Sequence, residues 1–173
     1  MFETGELVIY DDTGVCRVEE IGLPEGIPVS DKKRKYYTLA PVFHGGKIYI
    51  PVDTKAFMRR IISHGEAEEL VEKIPEIEEE HTDAVSQKIL EEKYRSAVKS
   101  HECEELVRLI KTVYWKKKDL ASRKKKAGRL DTEYMGRAKR LLYEELAAAL
   151  EIPVGKVEDY IAARAEENGY REE

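Results

Sequence analysis

The apolar residues of this chain change their spacing once, near Ser63. Before that point they fall in short β-rich runs, one of which alternates strictly with polar residues. After it they recur every three to four residues. The first period builds strands and the second builds amphipathic helices, so the pattern predicts an α+β chain with its strands first. At 173 residues, there is room for one large domain or two small ones.

In the first part, GELVIY reads as a strand. DDTG is a turn signal, and TGVCRVEEI is the next strand. Residues 22–34, GLPEGIPVSDKKR, combine two Gly, two Pro and a basic cluster, which makes them a loop. KYYTLAPVF and KIYIPVD are two more strands, joined across HGG. In the last of these Ile48, Ile50 and Val52 share one face, while Lys47, Tyr49 and Pro51 share the other. Pro51 has no N–H to donate, which places this strand at a sheet edge or ends it there. Several short strands in so few residues point to a small SH3- or Tudor-like barrel.

The helical part opens with Ser63 and Glu66, the spacing of a capping box. This first helix should stop near Pro75. Three longer apolar stripes follow. The first runs through Val85, Ile89/Leu90, Tyr94 and Ala97/Val98, and the second through Leu106, Leu109/Ile110, Val113 and Leu120. The third runs through Ala138, Leu141/Leu142, Leu146 and Ala149/Leu150. Pro153 suits the first position of a last helix carrying Val154, Val157 and Ile161. The expectation is an all-α bundle of four or five helices. The domains expected are residues 1–63, an acidic helical connector over 64–82, and a helical domain over 83–173 that ends in an acidic helix and tail.

Several function classes lack their residues. There is no phosphate-binding GxxxxGK[ST], no GxGxxG and no GxSxG. His101 and Cys103 offer two metal ligands where a zinc site needs three or four, so a loop histidine and a small buried thiol are the plainer reading. The run Glu76–Glu80 reads as a solvated acidic block. No enzyme, cofactor or metal is expected. No apolar run approaches the ~20 residues of a membrane span, and the N-terminus lacks the basic start of a signal peptide. Cys16 and Cys103 form no CxxC, so a reducing cytoplasm is expected.

Charge is unevenly spread. The whole chain carries −5, residues 1–63 are neutral, 64–81 carry −7, 82–150 carry +6 and 151–173 carry −4. Salt screens exposed charges beyond about 8–10 Å, so a phosphate responds to the local patch. The densest patch is residues 111–140, with 12 basic and three acidic side chains. Such a density can neutralise several phosphates, each with release of a counterion. Tyr114 and Trp115 interleave with its lysines and could touch bases or sugars. A lone Trp of this kind also serves as a core or groove anchor.

These segments resemble a known family. The pattern F-x-x-G-E-L-V-I-Y-D-D-T-G-V-C-R-V-E-E-I, then K-Y-Y-T-L and K-I-Y-I-P-V-D, is similar to the CarD/CdnL family of bacterial transcription regulators. Their N-terminal module is shared with the transcription-repair coupling factor. E-E-K-Y-R, E-E-L-V-R-L-I-K and G-R-A-K-R-L-L-Y-E-E-L-A-A-A-L look like the helical domain of that family. The resemblance covers roughly residues 1–150. It implies a Tudor-like domain that binds the β subunit of RNA polymerase, with the contact strand at Ile48, Tyr49, Ile50 and Pro51. It also implies a helical domain that meets promoter DNA at the upstream edge of the transcription bubble and stabilises the open complex.

The resemblance carries over Lys93 and Arg95 at one basic helix start, and Arg137, Lys139 and Arg140 at another. Arg123, Lys124, Lys125 and Lys126 join the DNA-facing set on charge. The family has a wedging Trp four residues before the Tyr of that first helix, and here the place is Leu90. Leu90 therefore has two readings, a groove wedge or a member of the core stripe. The expected partners are the polymerase β subunit and promoter DNA, met by a monomer in the cytoplasm at the nucleoid. The rival reading is an RNA- or ribosome-associated binding module.

Overall fold

The computed structural model describes residues 1–81 and 85–169. The expected boundary at residues 82 and 83 and the last four residues of the acidic tail lie outside the described residues. The chain divides into two compact units, Met1–Ile62 and Ser63–Glu173.

The first unit is a five-stranded antiparallel sheet of β1 (Leu7–Tyr10), β2 (Gly14–Gly22), β3 (Tyr36–Pro41), β4 (Ile48–Pro51) and β5 (Met58–Arg60). The strand order is β4-β3-β2-β1-β5, so β4 and β5 are the two ends of the sheet. Alternation decides what is inside. Val8, Cys16, Val18, Tyr37, Leu39 and Ile50 form one core, and Phe2, Tyr10, Ile48 and Met58 pack against it. Every strand contributes to that core, so the sheet wraps around it. The register of β2 against β3 shifts between Val18 and Glu20. An extra residue there bends the strand and raises its twist, as wrapping requires. The reversal between β1 and β2 needs Gly14, whose φ of 88° a side chain rarely adopts.

Among its described residues the second unit has five α-helices: α1 (His64–Lys73), α2 (Gln87–Lys99), α3 (Cys103–Ser122), α4 (Arg129–Leu150) and α5 (Val157–Glu167). The capping box forms as the spacing predicts. The Ser63 hydroxyl accepts from the Glu66 N–H, and the Glu66 carboxylate accepts from the Ser63 N–H, each at 3.1 Å. Ser63 therefore belongs with the helices, one residue earlier than the expected boundary. Pro153 precedes a short 3-10 turn (Val154–Lys156), and the last α-helix starts only at Val157.

The segment expected as a connector is part of this unit. Ala67, Leu70 and Val71 of α1 are buried, and Arg164 of α5 reaches Glu72 at 2.7 Å. The backbone of the acidic stretch after α1 is strapped to α3, while the side chains of Glu76, Glu78 and Glu80 stay exposed. Lys111 Nζ donates to the carbonyls of Ile74 at 2.9 Å, Pro75 at 3.3 Å and Ile77 at 2.5 Å. Thr112 accepts from the Glu80 N–H at 2.9 Å, and Ile77 is buried. An ammonium suits the carbonyl end of a helix, which carries partial negative charge. Burial lowers the Lys111 pKa, with the charge of Glu79 opposing that effect.

The centre of the bundle is the α3–α4 hairpin. Leu106, Leu109 and Val113 on α3 are buried, as are Ala138, Leu142 and Leu146 on α4. These are the stripes predicted from spacing.

Candidate nucleic-acid and polymerase interfaces

In the sheet unit, the candidate contact strand β4 is an end strand, as the place of Pro51 predicts. The Val52 N–H donates to the Lys35 carbonyl of the β3 side at 3.0 Å. Main-chain groups of an antiparallel strand alternate sides, so Ile50 and Ile48 also bond toward β3. Tyr49 then turns its N–H and C=O toward the open side. Pro51 has no N–H, and its carbonyl accepts from Thr54 at 3.0 Å. Ile50 is 8% exposed and belongs to the core. Of the four residues expected at this contact, the Ile50 side chain is thus unavailable, and Tyr49 carries the free main-chain edge.

In the helical unit, α3 ends in a tight reversal. The Lys124 N–H donates to Ala121 at 3.0 Å and the Lys125 N–H to Leu120 at 2.8 Å. Lys124 takes the left-handed conformation, with φ 58°, that stops the helix. This turn displays Arg123, Lys124, Lys125 and Lys126, all exposed, just before α4 begins at Arg129. Among the described residues, none of Lys124, Lys125 and Lys126 has a carboxylate partner, whereas Arg123 pairs with Asp119 at 2.8 Å.

The other expected DNA-facing cations are engaged. Lys93 lies 3.7 Å from Glu80, and Arg95 lies 3.0 Å from Glu91. A hydrogen bond to Tyr134, and then the charges of Tyr134 and Glu91, push the Arg95 pKa up. Arg137 pairs with Glu133 at 2.9 Å and stacks over the Tyr134 ring. Lys139 lies 3.6 Å from Glu158, and Arg140 lies 3.3 Å from Glu144, whose side chain is nearly sealed from solvent. A phosphate would have to break the pair between Arg140 and a buried carboxylate, so that arginine is structural first. At about 1.5 Å per residue, Arg137 to Arg140 also lie roughly 13–20 Å along α4 from the turn, beyond screening distance.

Leu90 is a core residue. It is 3% exposed, packed in the stripe with Tyr94 and Val98. The reading of Leu90 as a groove wedge is therefore corrected. The solvent-facing apolar side chain on that turn is its neighbour Ile89. Trp115 is 48% exposed and Tyr114 46%, and neither joins the buried stripe of α3.

One residue organises this end of the bundle, and its sequence neighbourhood does not reveal it. Asp131, in the first turn of α4, is 2% exposed. Its carboxylate accepts from the Tyr94 hydroxyl at 2.6 Å and from Lys116 Nζ at 3.0 Å. That joins α2, the last third of α3 and the start of α4 at one level. It also brings Lys93 and Arg95, on either side of Tyr94, to the end of the bundle that carries the basic turn.

The family model described as the CarD-like/TRCF RID domain matches residues 2–62. The N-terminal unit is a CarD-like RNA-polymerase-interacting domain. The match ends where the sheet unit ends, and the CarD-like domain gives the chain a transcription-related role. No curated protein matches the chain. Among the described residues, no helix is long and apolar enough to cross a membrane, and no group of three or more His, Cys, Asp or Glu is placed to hold a metal ion.

Proposed function

We propose that the chain is a non-enzymatic transcription regulator that couples RNA polymerase to promoter DNA. In this reading the CarD-like domain binds the polymerase β subunit along the β4 edge. The helical unit holds promoter DNA near the upstream edge of the bubble, chiefly through the α3–α4 turn. The protein would act as a monomer in the cytoplasm, at the nucleoid. The observation that carries the reading is the run of unpaired cations Lys124–Lys126 on a chain whose net charge is negative. A cation already paired with a carboxylate gains little from a phosphate, whereas an unpaired one releases a counterion for each contact.

The effect on transcription is then linkage. A protein that binds the open complex better than the closed one shifts the equilibrium by that difference, typically about 1–3 kcal/mol. Reversing Lys124, Lys125 and Lys126 to Glu should flatten the log–log salt dependence of promoter binding by up to about three phosphate contacts, and shorten open-complex lifetime. An unchanged slope with the protein still folded removes the turn from the DNA interface.

A further inference from the structure

We propose that Tyr114, Trp115 and Lys118 form a binding site for the unpaired bases of single-stranded DNA. The inference rests on the reading of the helical unit as DNA-binding and adds which form of DNA it selects. The two rings are about half exposed and lie off the face on which Leu106, Val107, Leu109 and Val113 are buried, so core packing does not explain them. Lys118 lies one turn on, with its ammonium 5.5 Å from the Tyr114 ring centroid and 5.6 Å from that of Trp115. A cation in contact with both ring faces fixes their orientation before any ligand arrives.

Charge complementarity identifies the occupant. From residue 116 to 129 the chain carries eight Lys and Arg against one acid, Asp119. A basic protein partner would be repelled there, whereas a polyanion is drawn in. Geometry narrows the choice further. Adjacent residues on an α-helix point about 100° apart, so the two rings cannot enter the same base step as one wedge. They form two separate platforms with a cation between them. That arrangement suits two bases and the phosphate that links them. In a duplex the base faces are hidden by stacking, and only an unpaired base can lie on a ring. The platforms should therefore select single strand over duplex, with little dependence on sequence, because every base has a π-face.

Trp115 is the only Trp in the chain, so its emission reports the site directly in the full-length protein. An oligothymidine of about 20 nucleotides should quench that emission saturably, while a duplex of equal length should bind without comparable quenching. Trp115→Ala and Tyr114→Ala should each lower single-strand affinity about tenfold. Neither should change duplex affinity or the melting temperature, and Trp115→Phe should keep most of the binding. Equal quenching by duplex, or single-strand affinity indifferent to both Ala variants while reversal of Lys124–Lys126 abolishes it, would overturn the site and leave the DNA reading standing. Tighter binding of the matching RNA than of DNA would overturn its assignment to DNA. No binding of either strand form would overturn both.

Discussion

Asp131 accepts two hydrogen bonds inside the bundle, from a phenol on α2 and an ammonium on α3. Removing one partner of a buried pair leaves the other desolvated and uncompensated. Asp131→Ala should therefore cost about 3 kcal/mol in denaturant unfolding. Asp131→Asn should cost less, because its amide oxygen still accepts from Tyr94. A loss near zero for Asp131→Ala would show that the carboxylate does not hold the helices together. Leu90 makes a simpler case. Leu90→Ala should lose about 2–5 kcal/mol by opening a cavity, and Leu90→Trp should also lose stability by overpacking. A Trp variant with unchanged melting and a longer-lived open complex would return Leu90 to the groove. The burial of Leu90 was legible, because apolar residues at helical spacing mark a core face. The role of Asp131 was not. An ion pair between residues 15 apart, joined to a phenol 37 residues away, leaves no periodic trace. In sequence it counts only as one of three acids diluting a basic cluster. The half exposure of Trp115 was legible only in part: periodicity says which residues can be buried, whereas exposure depends on what packs opposite.

At the scale of elements, local signals were the reliable ones. Ser63 and Glu66 closed the capping box that their spacing announces, Pro75 marked the end of α1, and Pro51 placed β4 at an end of the sheet. What escaped was the strap after α1, because the run Glu76–Glu80 reads as a solvated block and gives no sign that its backbone is held. Three carbonyls bound to one lysine 34 to 37 residues away turn that block into part of the bundle. Lys111→Met should leave those carbonyls without their donor and lower stability by about 1–3 kcal/mol. The pH dependence has a definite sign. Burial lowers the folded-state pKa of Lys111, so the unfolded chain holds its proton to higher pH. Wild-type stability should rise between the lowered value and the ordinary ~10.4 of a lysine, and the Met variant should lack that rise. Urea titrations of both proteins across this alkaline range measure it. Parallel curves would mean that Lys111 titrates normally.

For the whole molecule, the change of period near Ser63 coincides with the boundary between the two units and with the end of the CarD-like match. Each unit has its own core, so the division was readable from the chain alone. The binding roles divide the same way. Residues 1–62 alone should retain the polymerase β subunit in a pull-down, and Tyr49→Glu should weaken that without lowering the melting temperature. Retention by the helical unit instead would reverse the assignment. The form of β4 has one more consequence, for solubility. An exposed sheet edge invites further copies to add on and grow into fibrils. Here the strand has four residues, loses one donor at Pro51 and spends the Pro51 carbonyl on its own turn. Tyr49 is left as a foothold that one matching strand can use and a stack of identical chains cannot extend, so the edge can stay open in a crowded cell without seeding aggregation.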